Sequence, residues 1–230
     1  MKTYKIYLIR NGYTKGSIEG RYIGHTDESL SEDGKKQLTE LTENYIFPDV
    51  DVVISSPLKR CTETAKIIYP DREPIIIDDI KECNFGEFEG LTADELADDE
   101  NFKAWIKGGL DIAPPFGESS RAFSMRIFSG FVKIIEGILK SGIKETAIIT
   151  HGGVIMSWLA FFGLPEAPMT DWRTPAGCGY MLRFDASIWS KLNKIEVVDE
   201  IPFPASNGEE DDEEGYTDYI WGDFNSSTDE

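Results

Sequence analysis

Residues 4–11, Tyr4-Lys5-Ile6-Tyr7-Leu8-Ile9-Arg10-Asn11, set how the rest of the chain is read. Ile6, Tyr7, Leu8 and Ile9 form a short apolar run with β-branched and aromatic members. Such a run reads as a strand covered on both faces, the kind found in parallel sheets. It stops at Arg10, Asn11 and Gly12. Charged and polar residues at the carboxyl end of a buried strand are what ligand sites in open α/β sheets are built from.

Outward from that strand, apolar and helical segments alternate. A polar stretch, 13–27, reads as a long loop, and Ser31 caps a helix carrying Leu38, Leu41 and Tyr45 on one face. A second strand, 50–54, ends at Ser55-Ser56-Pro57, which reads as a serine cap with proline at the first helical position. The helix that follows carries Lys59 and Arg60 and runs to Ile68. A third strand spans 74–77, and short helices are expected at 92–97 and 101–107. A long helix starts at Ser119 or Ser120 and runs to Leu139. A fourth strand, 146–149, leads through Thr150-His151-Gly152-Gly153 into an apolar helix, 154–162. Later strands are expected at 179–184 and 195–198. This alternation predicts an α/β fold, a three-layer α/β/α sandwich on a mostly parallel sheet.

The chain has 230 residues with 42 acidic and 23 basic side chains, a net charge of -19. Ten of the acids fall in residues 207–230, which contain no Lys or Arg, so the body is about -9. We therefore read 1–206 as a single domain and 207–230 as an acidic tail. Its aromatics Tyr216, Tyr219, Trp221 and Phe224 leave two readings open, a flexible tail or a segment docked on the body. Such acidity without a basic patch argues against nucleic acid and anionic membranes as partners. No apolar run approaches the ~20 residues of a membrane span. Cys61, Cys83 and Cys178 are odd in number and lack metal-type spacing. Together with an amino terminus free of a signal pattern, they point to reduced thiols in a cytoplasmic protein.

If the first four strands are parallel neighbours, their carboxyl ends bring Arg10, Arg60, Glu82 and His151 to one edge of the sheet. Taken singly, each has an ordinary explanation as an ion-pair partner, a solvated helix residue, a turn residue or a structural histidine. Together they make a site for an anion. Two guanidinium forks suit phosphate oxygens. A carboxyl group beside them can protonate a leaving oxygen. His151, at a strand-to-helix turn, can donate to a phosphoryl oxygen beside a helix amino terminus. No cluster has metal-ligand spacing, so neither a metal nor another cofactor is expected. His25, in its Gly24-His25-Thr26-Asp27 loop, reads as a surface residue.

Six ordered segments carry a resemblance to a known family: LIRNG (8–12), GRYIGHTDESLSEDG (20–34), SSPLKRCTETA (55–65), KECNFGEFEGLT (81–92), PFGES (115–119) and IITHGG (148–153). They resemble the signature of the histidine phosphatase superfamily, the phosphoglycerate-mutase-like clan, over about residues 3–184. FGEFEGL is similar to its phosphatase branch, which includes α-ribazole phosphate and broad-specificity phosphatases. The short span from Glu82 to Gly117 differs from the longer, more basic insertion of the mutases, whose phosphoryl transfer is the alternative reading.

The resemblance implies a metal-independent transfer in which the histidine of an Arg-His-Gly motif attacks phosphorus and water then releases phosphate. It places Arg10 and Arg60 in the phosphate pocket with Ser17, Gly24 and Gly152. It makes Glu82 the proton donor and His151 the oxyanion stabiliser, and the implied partner is a small phosphorylated substrate or inorganic phosphate. Asn11 falls at the nucleophile's position. A carboxamide nitrogen is conjugated with its carbonyl and cannot take a phosphoryl group, so loss of turnover is expected. Tyr13 and Ser17 also depart from the family pattern, which a single inactivating substitution would not explain. Natural divergence to a phosphate-binding pseudophosphatase is therefore carried beside an inactivated or strongly impaired phosphatase. Replacement of the nucleophile by His25 is a further, weaker option. Trp105, Ile106 and Phe116 are read as a lid over the leaving group, with core packing as the other reading.

Overall fold

The first strand, β1 (Thr3–Arg10), sends alternate side chains to opposite faces. Ile6 and Leu8 enter one apolar cluster, and Tyr7 and Ile9 enter the other. The strand is therefore covered on both sides, which explains its lack of polar alternation. In the computed structural model, which describes residues 2–205, β1 is followed by α1 (Lys15–Ile18), α2 (Glu32–Asn44), β2 (Tyr45–Ile46), β3 (Val52–Ser55), α3 (Lys59–Ile68) and β4 (Ile75–Ile76). Then come α4 (Glu100–Ile106), α5 (Ser120–Ser141), β5 (Glu145–Thr150), α6 (Gly152–Phe162) and β6 (Gly163–Leu164). The chain continues through β7 (Gly179–Asp185), α7 (Ala186–Leu192), β8 (Ile195–Ile201) and β9 (Phe203–Pro204).

Seven strands form one sheet in the order β4-β3-β5-β1-β7-β8-β6. The run from β4 to β1 is parallel throughout, whereas β7 is antiparallel to both β1 and β8. The sheet is thus mostly parallel, as expected. One face packs on α5 and α6 through Ile127, Phe131, Ile135, Val154, Trp158 and Leu159. The other packs on α2 and α3 through Leu38, Leu41, Cys61, Ala65 and Ile68. Each fully buried side chain of this size contributes about 1.5–3 kcal/mol relative to exposure. Register aligns the carboxyl ends, because Arg10 pairs with Thr150 and Ser55 lies across from both Ile149 and Ile76.

Several local expectations are corrected. Ser31 does cap α2, accepting from the Gly34 amide at 2.9 Å, but Tyr45 leaves the helix to pair with Pro204. Ser56 does not cap α3, whose cap position is Leu58. The Ser56 amide donates to Ile149 at 3.0 Å, which carries the strand past the expected stop. Residues 92–97 form turns rather than a helix, with Thr92 bridged to Arg21. The loop at 13–27 contains α1, closed by reciprocal bonds between Thr14 and Ser17. No helix of the described residues is long and apolar enough to cross a membrane. The expectations for residues 207–230 and their aromatics lie outside the described residues.

Candidate active site

The aligned strand ends open onto a cleft of about 330 Å³. Arg10, Asn11, Ser17, Arg60, Glu82, His151 and Gly152 all line it, so seven of the eight expected site residues meet there. Arg10 ends β1 and Arg60 lies in the first turn of α3. His151 is the cap residue of α6, whose amino terminus faces the cleft through Gly152 and Gly153.

Each group is held by specific bonds. Arg10 donates through a terminal guanidinium nitrogen to the Thr174 carbonyl at 2.6 Å. The buried Arg60 donates to the carbonyls of Gly24 at 2.7 Å and Thr26 at 2.9 Å, and its Nε reaches His151 Nδ1 at 3.2 Å. Glu82 is pinned by the Gly153 amide at 2.9 Å and the Cys83 amide at 3.0 Å. The Gly12 amide donates to Thr64 Oγ1 at 2.9 Å, and that hydroxyl donates to the Arg60 carbonyl at 2.6 Å. This ties the end of β1 to α3.

Asn11 is buried. Its Nδ2 donates to the Gly12 carbonyl at 2.8 Å, which turns Oδ1 toward His151 Nδ1 at 3.1 Å. The other imidazole nitrogen, Nε2, lies 2.8 Å from Ser56 Oγ. Burial, reinforced by the nearby guanidinium of Arg60, pushes the His151 pKa well below its ordinary value. The imidazole is therefore neutral and carries one proton. Burial also raises the Cys61 thiol to about 12, so the sulfur 3.5 Å from His151 Nε2 is a thiol at neutral pH.

Other expected residues take different roles. The Ser17 hydroxyl reaches the cleft wall but is spent on the Thr14 backbone. Gly24 does not line the cleft and acts through its carbonyl on Arg60. A Cβ at Gly24 would collide with the Cys83 carbonyl, so only glycine lets this loop pack against the Glu82 segment. His25 is half-buried rather than on the surface, and it stays outside the cleft lining. The expected lid does not form. Trp105 packs against Tyr22, Phe85, Phe88 and Phe102, while Ile106 and Phe116 are exposed, and none of the three lines the cleft.

Sequence reasoning missed several participants. Thr64 lies four residues after Arg60 on the same helix face, a spacing that was available as a signal. Ser56 reads from the sequence as a helix cap, whereas its hydroxyl lies 2.8 Å from His151 Nε2. Glu89 clamps the loop that holds Arg60. Its Oε1 accepts from the His25 amide at 2.7 Å and the Phe85 amide at 3.1 Å, and its Oε2 accepts from the Thr26 amide at 2.6 Å and from the Thr26 hydroxyl. Thr174, acting through its carbonyl, and Arg173 and Met156 on the cleft wall left no sequence signal.

The cleft brings two guanidinium groups, a carboxyl group, an imidazole and a helix amino terminus together. The chain is similar to known proteins. It is 30% identical over 179 residues to the adenosylcobalamin/α-ribazole phosphatase of Escherichia coli, covering 76% of this chain and 87% of that protein. The crystal structure of the α-ribazole phosphatase from Shigella flexneri is similar, with a TM-score of 0.72, 25% identity and coverage of 88% and 100% of the two chains. A phosphoglycerate mutase structure from Thermus thermophilus is also similar, with a TM-score of 0.59 and 27% identity over 86% of this chain and 98% of that one. Residues 6–194 match the model of the histidine phosphatase superfamily, branch 1. The chain belongs to that superfamily, whose members include phosphatases.

Proposed function

We propose that this cleft holds the phosphoryl group of a small phosphomonoester, or inorganic phosphate, and that Asn11 removes or strongly impairs turnover. Arg10 and Arg60 neutralise the phosphate dianion through charge-assisted bonds. The neutral imidazole of His151 stabilises the oxygen on which charge develops. Glu82 is the group that hands a proton to the leaving oxygen as the P–O bond breaks.

In the superfamily's reaction as the resemblance implies it, a histidine nitrogen at position 11 forms an N–P bond as the P–O bond breaks, and water then cleaves the N–P bond. The Asn11 nitrogen has no free lone pair for the first step. The observation that carries this reading is the convergence of Arg10, Arg60 and His151 on one cleft with Asn11, whose Nδ2 is already donated to Gly12. The departures at Tyr13 and Ser17, both on the cleft wall, favour natural divergence over a single inactivating change.

Titration calorimetry with inorganic phosphate on the full chain and on Arg60→Ala tests the pocket. The expected result is measurable binding to the unaltered chain and at least about a tenfold loss in the variant. Equal affinity of the two proteins would overturn the assignment.

A further inference from the structure

The arginines of this chain divide into two groups. There are eight: Arg10, Arg21, Arg60, Arg72, Arg121, Arg126, Arg173 and Arg183. Five have a carboxylate partner at 2.7 to 3.5 Å, namely Arg21, Arg72, Arg121, Arg126 and Arg183. Arg10, Arg60 and Arg173 have none among the described residues, and all three line the same cleft. In a chain with 42 acidic residues against 23 basic, the three arginines without a carboxylate partner among the described residues share one cleft. Among the described residues, Glu82 is the one acidic side chain lining the cleft, against the three arginines Arg10, Arg60 and Arg173.

Arg10 and Arg60 suffice for one phosphoryl dianion. Arg173 is surplus to that task, and its backbone is fixed on both sides. Its carbonyl accepts from the Tyr180 hydroxyl at 2.9 Å, and the next carbonyl, Thr174, is held by Arg10 at 2.6 Å. A buried Trp172 precedes it. Arg173 is exposed and lines the cleft, and its backbone is joined through the Thr174 carbonyl to Arg10.

We propose that Arg173 binds a second anionic group, a carboxylate or a phosphate, on the part of the ligand that becomes the leaving group. The inference rests on the phosphate-pocket reading above. It assigns the ligand to compact phosphomonoesters with two anionic ends, a size that a cleft of about 330 Å³ accepts.

Calorimetry on the full chain with inorganic phosphate, propyl phosphate, 3-phosphonooxypropanoate and 1,3-propanediol bisphosphate tests it. The last three share a three-carbon chain whose far end is a methyl, a carboxylate or a phosphate ester. The expected result is about tenfold tighter binding of one or both doubly anionic ligands than of propyl phosphate. Which of them gains identifies the second group. In Arg173→Gln that ratio falls toward one, and in Arg173→Lys part of it remains. A merely structural role for Arg173 would weaken all ligands in parallel and leave the ratio unchanged, which overturns the inference, as do equal affinities of the three organic ligands for the unaltered chain. Absence of inorganic phosphate binding would instead overturn the pocket reading, and this inference with it.

Discussion

Asn11 Oδ1 lies 3.1 Å from His151 Nδ1, and that same nitrogen is 3.2 Å from Arg60 Nε. A neutral imidazole nitrogen either donates or accepts, so it satisfies one of these neighbours at a time. With the proton on Nδ1 it donates to Asn11, or in its place to a phosphoryl oxygen, and Nε2 accepts from the Ser56 hydroxyl 2.8 Å away. With the proton on Nε2 it accepts from Arg60 and leaves Asn11 Oδ1 facing a lone pair. A bound phosphate gives the Arg60 N–H another acceptor and removes this competition. Titrating phosphate into nitrogen-15-labelled protein is therefore expected to shift His151 toward the Nδ1–H form in long-range proton–nitrogen spectra. No change in the His151 nitrogen shifts at saturating phosphate would contradict this.

Glu89 acts on the cleft from outside it. Its carboxylate accepts from His25, Thr26 and Phe85, and the Gly24–Thr26 carbonyls in turn grip Arg60. In Glu89→Gln, an NH₂ group faces donors that an oxygen now satisfies. The expected cost is about 1–3 kcal/mol of stability and several-fold weaker phosphate binding, read by denaturation and calorimetry. Unchanged phosphate affinity in a folded Glu89→Gln protein would remove Glu89 from the account.

Gly24 tests the same loop sterically. A Cβ there meets the backbone carbonyl of Cys83 and, at 2.6 Å, Glu89 Oε1. The backbone cannot swing aside as a side chain can, so Gly24→Ala is expected to cost about 1–3 kcal/mol. Gly20→Ala makes a useful contrast, because its Cβ would meet open space and its cost would come only from its positive φ of 68°. Equal packing penalties would argue against the tight approach at Gly24.

The buried histidine also predicts a pH dependence. The His151 pKa is pushed well below its ordinary value, chiefly by burial. Between that depressed value and the unfolded value near 6.5, the unfolded chain binds more protons than the native one. Stability therefore rises with pH through this window and is lost as the pH falls below about 6.5. The slope reaches at most about 1.4 kcal/mol per pH unit for one such group. His25, also lowered by burial, adds a smaller contribution of the same sign. Urea denaturation of the unaltered chain and His151→Gln between pH 6.5 and 5.5 is expected to give a flatter profile in the variant. Identical slopes would show that His151 is free to protonate in the native state.

The strand at 4–11 was legible because burial on both faces abolishes polar alternation, and its end placed the site. Arg10, Arg60 and His151 are legible from a strand end and two helix starts, which local sequence specifies, whereas Glu82 lies in the connection after β4. What stayed hidden depends on contacts between distant segments. Ser-Pro at 56–57 looks like a helix start, but a bond from Ser56 to Ile149 in the neighbouring strand carries the extended chain further. Trp105 looked available for a lid until Tyr22, more than eighty positions earlier, met it in an aromatic cluster. Glu89 is one more acid in an acidic chain until the loop at 24–26 folds over it. The Thr174 carbonyl could not be read at all, since a backbone acceptor has no residue signature.

The central proposal is that Asn11 removes turnover from a cleft that keeps Arg10, Arg60, Glu82 and His151. Steady-state hydrolysis of an aryl phosphate, without added metal, by the unaltered chain and by Asn11→His tests it most directly. Turnover is expected to be at least about a hundredfold faster in Asn11→His, with a phosphohistidine that survives an alkaline denaturing quench and is lost in acid. Rapid hydrolysis by the unaltered chain, unchanged in Asn11→His, would contradict it.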